Sequence, residues 1–588
     1  MLRLSFAVCL ALGTLSLGVI LDNVAELNKL NLKFDFVVVG GGTAGNVVAN
    51  RLSEDPKASV LVLEAGTSNA DVLDIIVPFF CTRATPDTAQ DWNYTTTPQS
   101  ALNNRSIIYP RGFVLGGSSS VNYMVYTRGS EEDFNRWAKV TEDQGWGWNS
   151  LLPYFKKNEV FTPPADHHNT RGQFNPAVHG YNGINSVTLA GFPSPVDNRV
   201  IETTKESEFP FNLDPNSGSP LGISWAQATI KDGARSSSAT SYLAPNFIAR
   251  PNLHVLLHAR VTRVLQTASN TFRTVEFQDL NGNRSTVTAQ KEVILSAGSI
   301  GTPTILLHSG IGNSSTLKSL GIQPVHNLPS VGQNLTDHSL AFLSFVVNSN
   351  NTFETFDRNA TLLAADLAQW NKSRTGPLVD NPLSHTGWLR IPDDSSIFKK
   401  FPDAAAGPNT PHYEFIISNG MFLPPPPTGN FLGLITAVVS PTSRGSITLA
   451  TSDLLAPPLI NPNLLGSEVD FFILREAVKS AFRFASSPPW KNYVISPFGL
   501  NFNSTDDEID EWIRENGGSV FHPAGSCSMS PKGATWGVVD PDLTVKGLSG
   551  LRVVDLSIVP FIPAAHTQAS AYVIGERASD LIKEHWSQ

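Results

Sequence analysis

One stretch near the start of the chain limits the possible folds more than any other. From Phe34 it reads Phe-Asp-Phe-Val-Val-Val-Gly-Gly-Gly-Thr-Ala-Gly. The apolar, β-branched run Phe36 to Val39 is of buried-strand type and leads straight into Gly40-x-Gly42-x-x-Gly45. Asn46 to Arg51 then has helical character, with Val47, Val48 and Leu52 on one face. A second strand, Val60 to Leu63, ends at Glu64, about twenty residues beyond the last glycine. Each residue type has a task. Gly40 permits a tight turn, Gly42 lets a pyrophosphate approach the backbone, and Gly45 lets helix and strand pack closely. Amides at the helix N-terminus receive the pyrophosphate. Glu64 accepts hydrogen bonds from a ribose hydroxyl, and an acid there disfavours a 2′-phosphate. The expected fold is therefore α/β with a Rossmann-like dinucleotide-binding domain. The fingerprint alone leaves FAD and NAD open.

Composition removes other classes. Hydrophobic residues are 41% of 588, enough for a large core. Lys+Arg is 42 against 51 Asp+Glu, a net charge of −9. Such a chain is not expected to bind nucleic acid or anionic membrane through a basic face. Arg3 followed by an apolar run from Leu4 to Leu21 predicts a signal peptide, with Ser16-Leu17-Gly18 supplying small residues for cleavage after Gly18. Sequons at Asn93, Asn104, Asn283, Asn313, Asn334, Asn350, Asn359, Asn371 and Asn503 agree with a secreted glycoprotein. Cys81 and Cys527 remain after the leader, either paired or buried as small apolar residues. With so few cysteines and no zinc-type histidine pair, no metal site is expected.

Two further segments carry a resemblance. One runs from Tyr109-Pro110-Arg111-Gly112 through Gly116-Gly117-Ser118-Ser119-Ser120-Val121-Asn122-Tyr123-Met124 to Arg128-Gly129. The other is Gly298-Ser299-Ile300-Gly301-Thr302-Pro303 through Gly310-Ile311-Gly312. Together with the fingerprint and a C-terminal block, they resemble the glucose-methanol-choline (GMC) oxidoreductases, which use FAD. Within that family the chain is most similar to fungal aryl-alcohol oxidases, notably in Asp91-Trp92-Asn93-Tyr94-Thr95-Thr96-Thr97 and from Pro163 to Gly180. The resemblance implies an FAD-binding domain over 34–200, 235–325 and 510–588. A substrate domain built on an antiparallel sheet would take 201–234 and 326–509. It implies that Arg111, Gly116, Ser118, Asn122 and Met124 run along the flavin, that Val261 meets adenine, that Asp555 lies near the diphosphate, and that Thr567 and Gln568 offer amides to the flavin ring. Some relatives bond flavin to a His in the first loop. No His stands there, so FAD is expected to be noncovalent. Leu556 replaces the commoner Ala.

Two histidines beside prolines, His522 in Phe521-His522-Pro523 and His566 in Ala565-His566-Thr567, match the family's catalytic pair. Removing the hydroxyl proton while hydride leaves the carbon needs a base, and imidazole titrates near ambient pH. His522 is expected to be the base and His566 the partner that orients the substrate oxygen. Tyr123, Phe422 and Phe521 resemble an aromatic gate, which favours a flat apolar ring over a sugar. Glu414 resembles an active-site carboxylate. The expected activity is a secreted, monomeric FAD oxidase of aromatic alcohols, giving aldehyde and H2O2 from O2. A quinone-linked dehydrogenase and a redox-neutral hydroxynitrile lyase are the alternatives. The run Pro424 to Pro427 is expected to form a loop over the entrance.

Overall fold

The computed structural model describes residues 18–422 and 424–587. The expected leader falls almost wholly in 1–17, outside the described residues. Val19–Leu21, the last part of its apolar run, forms a short edge strand.

The β-branched fingerprint strand becomes Phe34–Val39, with Val37 and Val38 fully buried. It lies between Val60–Leu63 and Arg284–Leu295, parallel to both. The sheet continues through Leu253–Leu256 to Val19–Leu21 on one side, and Leu551–Val553 pairs parallel with Arg284–Leu295. Thr271–Gln278 and Arg260–Ala268 extend it as antiparallel strands. Parallel strands covered on both faces are largely apolar, as Val37–Val39, Val60–Leu63 and Val293–Leu295 are. The helix Thr43–Leu52 packs on the C-terminal helix Gln568–Ser587. Gly575 makes the approach possible, because a Cβ there would lie 2.8 Å from the Val47 Cβ. The buried Arg51–Glu576 pair, 2.8 Å, ties the same helices by their polar atoms.

A second sheet has the strand order Val494–Pro497, Ser339–Val347, Phe431–Val438, Tyr413–Ser418, His385–Leu389, Gly222–Trp225, and is antiparallel. Its far face packs on the helix Glu468–Ser486 through Phe415, Ile417, Leu432 and Leu434. Its near face carries a cross-strand row, Trp388–Glu414–Ala437–Leu340–Gly518, set by register. Directly opposite residues share a face, so this row is one wall. The strand Gly517–Ser519 also pairs with Ser339–Val347. The sheet thus reaches past position 509, where the sequence reading placed its end. Glycines there left no strand signal, and the strand exists through its pairing. None of the described helices is long and apolar enough to cross a membrane. Cys81 and Cys527 are both buried and unpaired, in separate apolar clusters.

Candidate active site

An open cleft of about 1260 Å³, mouth included, runs along the C-terminal edge of the parallel sheet. Gly40, Gly42, Glu64, Arg111, Ser118, Val261 and Asp555 line it. Three glycines have three different reasons. Gly40 has φ +100°, where side chains are strained, and a Cβ would lie 2.5 Å from the Ser296 carbonyl oxygen. A Cβ at Gly45 would lie 2.0 Å from the Gly40 carbonyl oxygen. Both are required by the protein's own packing. A Cβ at Gly42 would meet nothing closer than 3.9 Å, so that position is kept bare for whatever enters the cleft. Gly42 also caps the Thr43–Leu52 helix without a side-chain bond, leaving its first amides open to an anion.

Glu64 accepts the amides of Gly41 (2.9 Å) and Gly66 (2.7 Å). Burial pushes its carboxyl up to about 7 against those bonds. The Ser296 and Ser299 hydroxyls line the cleft and are buried without partners, as are both ring nitrogens of His308. Such groups fit a polar ligand that satisfies them. Trp92 and Tyr94 wall the cleft, and Arg260 lies over the Trp92 ring at 5.2 Å. These residues fit a flavin dinucleotide in shape and in polar groups.

Other expected cofactor residues support the cleft from behind. Gly116 has φ +92°, where Ser120 Oγ would stand 2.2 Å from a Cβ. The Met124 side chain is fully buried against Cys81, Ala228 and Ile230, away from the cleft lining. Its backbone has φ +63°. Asn122 donates to Gln568 Oε1 (3.1 Å) and accepts from the Met124 amide and Arg235. Gln568 in turn donates to the Val125 carbonyl and, after the buried Thr567, opens the C-terminal helix. Asp555 takes the Gly298 amide (2.9 Å) and the Thr302 hydroxyl (2.6 Å), fixing the start of the Gly298–His308 helix at the cleft. Leu556 does line the cleft.

The two histidines meet. Ring centroids of His522 and His566 are 5.0 Å apart, with planes at 83°. The His566 Nε2 lies 2.8 Å from Glu414 Oε1, in the near-face row. Its amide donates to Thr127, and the neighbouring Ala564 amide donates to the buried Asp133. Burial, then His566, His338 and Arg111 nearby, hold His522 well below the usual imidazole value. A third imidazole was not foreseen. His338 Nδ1 lies 3.0 Å from His522 Nδ1. Asp337, just before it, accepts the His522 amide (2.8 Å), the Ser519 hydroxyl (2.5 Å) and the Tyr109 hydroxyl (2.5 Å).

Tyr123 and Phe422 stand together in an apolar cluster with Leu340, Trp388 and Ile416, and the Trp388 and His566 rings form a T-shaped pair with centroids 6.2 Å apart. Phe521, the third ring expected at the gate, belongs to a different apolar cluster. It packs on Tyr109, Ile300 and Leu335. Its backbone has φ +63°, and the Arg111 guanidinium donates to its carbonyl. Among the described residues no group of three or more His, Cys, Asp or Glu is placed to hold a metal ion.

Comparison with known proteins agrees with this geometry. The GMC oxidoreductase N-terminal model matches residues 34–340 and the C-terminal model matches 441–575. The chain is 41% identical to "Dehydrogenase eriK" of Hericium erinaceus over 99% of each chain. It is 44% identical to "Pyranose dehydrogenase 3" of Leucoagaricus meleagris, over 95% of this chain and 94% of that one. A solved fungal aryl-alcohol oxidase superposes with TM-score 0.81 at 27% identity, over 95% of this chain and all of that one. A dinucleotide cleft ending at a histidine pair, and family models matching most of the chain, lead to one conclusion: the chain belongs to the GMC oxidoreductases, FAD enzymes that act on CH–OH groups.

Proposed function

We propose that the protein oxidises apolar primary alcohols of the benzylic and allylic class to aldehydes. The observation that carries this reading is the setting of the His522–His566 pair, which faces the near-face wall of Tyr123, Phe422, Trp388 and Leu340. FAD, when bound, supplies the acceptor for the hydride that leaves the carbinol carbon. His522, kept neutral by burial, takes the hydroxyl proton. His566, set in place by the 2.8 Å contact of its Nε2 with Glu414, stands beside the substrate oxygen and limits its orientation. Tyr123 and Phe422 seat the ring and exclude water. Loss of C–H as hydride and O–H as proton leaves the carbonyl. The acceptor in this reading is O2, giving H2O2, and the FAD is noncovalent because the loop 116–124 holds no His.

The same reading places the protein outside the cell as a monomeric glycoprotein. Asn93, Asn104, Asn283, Asn313, Asn350, Asn359, Asn371 and Asn503 are exposed. Asn334 donates to the Pro560 carbonyl and accepts from Arg444, so it is the sequon least open to a glycan.

A second reading, sugar oxidation by a dehydrogenase, is favoured by the similarity to pyranose dehydrogenases at 42–44% identity. Anaerobic mixing of the loaded enzyme with 4-methoxybenzyl alcohol, and separately with glucose, decides between them. Bleaching of the flavin band by the benzylic alcohol alone is expected; bleaching by glucose alone sinks the first reading. Recovery on air against recovery on benzoquinone then names the acceptor.

A further inference from the structure

His338 has no part in the chemistry above, yet it touches the proposed base. It begins the Ser339–Val347 strand side of the antiparallel sheet and is 1% exposed. Its Nδ1 faces His522 Nδ1 at 3.0 Å, with the rings at 81°. Two neutral imidazoles make that contact in one way: one nitrogen carries the proton and the other the lone pair. Which is which decides the chemistry. If His522 were the acceptor at Nδ1, its Nε2 would carry hydrogen and could not take a proton.

The role of His522 makes the choice. A base needs a lone pair on the nitrogen that meets the hydroxyl, and His522 Nδ1 is taken up by the His338 contact. His522 Nδ1 therefore carries the hydrogen, and His338 Nδ1 keeps its lone pair toward it. His338 Nε2 has no hydrogen-bond partner among the described residues, so no other bond competes with that assignment. We propose that His338 is a positioning residue that fixes His522 in the tautomer with hydrogen on Nδ1, so that Nε2 is the basic nitrogen. This rests on the reading of His522 as base.

The proton balance is simple. The hydroxyl proton goes to His522 Nε2, and the resulting imidazolium keeps donating Nδ1–H to His338. No proton passes on, because full burial makes a charged His338 costly and holds its pKa down to about 3. The groups facing His522 are His338, His566 and Arg111, with Asp337 on its amide. None of them is a carboxylate bonded to its ring. An uncharged orienting partner fixes the tautomer without raising the basicity of His522, so the proton is readily released when the next acceptor arrives.

The test uses the full FAD-loaded chain, and follows anaerobic flavin reduction by 4-methoxybenzyl alcohol across pH. His338→Phe fills the space but cannot accept. It should lower the limiting rate by about tenfold to a hundredfold, part of the 10²–10⁴ that a general base contributes, with substrate affinity and FAD content kept. His338→Gln offers an amide oxygen and should return the rate to within about threefold of wild type. His338→Glu places a charged acceptor on the same hydrogen and should move the acid limb of the profile to higher pH. That shift is a readout a purely structural role would not give, and it serves where His338→Phe fails to fold. His338→Phe at wild-type rate, beside an inactive His522→Ala, overturns the tautomer assignment alone. An active His522→Ala overturns the base assignment beneath it.

Discussion

The cofactor cleft and the catalytic pocket are built by opposite means. The fingerprint end of the cleft is a backbone surface: glycines, helix-start amides and carbonyls of 40–45 and 296–298. The pocket is a side-chain surface, assembled from Tyr123, His338, Glu414, Phe422, His522 and His566. The first tolerates no added atoms, and the second tolerates no lost ones. Substitutions should therefore fail in different ways in the two regions.

The largest effect is expected at Gly42. Gly42→Val should abolish FAD binding while the fold survives, since its Cβ meets no protein atom closer than 3.9 Å. Flavin absorbance against circular dichroism checks this. A yellow, fully loaded variant would break the contrast, and so would an unfolded one. Gly45→Val is the control that should misfold, its Cβ lying 2.0 Å from a carbonyl oxygen.

Next comes the pocket. His522→Ala should keep its FAD and lose about 10²–10⁴ in flavin reduction, the usual contribution of a general base. In the wild type the sign of the pH dependence follows from the lowered pKa of His522. The neutral imidazole is the active form, so reduction should stay flat as pH falls through about 6.5, the ordinary imidazole value. It should decline only in more acid solution, because protonation of the base is deferred. A decline centred at the ordinary value, read by anaerobic stopped flow, would show that His522 is not the buried base.

Glu414→Gln keeps a hydrogen-bond acceptor beside His566 but removes its charge. Charge-assisted bonds contribute about 1.5–3 kcal/mol, so a loss of roughly tenfold to a hundredfold in the reductive rate is expected. An unchanged rate would make the carboxylate a packing residue.

The smallest effects separate the aromatics. Tyr123→Ala should cost about 0.5–1.5 kcal/mol of stacking beyond its buried area, and only for aromatic substrates. Phe521→Ala should instead slow aromatic and aliphatic alcohols equally, since its ring packs on Tyr109, Ile300 and Leu335. A panel of both alcohol types on both variants checks the pair. Aromatic-selective loss in Phe521→Ala would return it to the gate.

The difference between the regions also explains what could be read beforehand. The fingerprint strand, its helix and Glu64 were legible because the whole signal of strand, glycine turn, helix and acid is contained in 34–64. The histidine pair was legible only through its resemblance to a family. His338 carried no signal at all: its partner is His522, and nothing in the run Thr336-Asp337-His338-Ser339 sets it apart from a strand end. The packing of Phe521 on Tyr109, Ile300 and Leu335 was not legible, because a left-handed phenylalanine is not written in residue types. The strand Gly517–Ser519 was missed because its glycines acquire strand geometry from Ser339–Ala341 across the sheet.

The carboxylate of Asp337 has a mechanical consequence. It gathers Tyr109 from an early segment, Ser519 and His522 from the C-terminal segment, and it heads a strand of the antiparallel sheet. Withdrawal of the Tyr109 segment from this sheet would unmake a hydrogen bond to a buried acid, and displacement of His522 would unmake another. The base is thus anchored by its own amide to the strand that Asp337 heads, and its place is set before any substrate arrives.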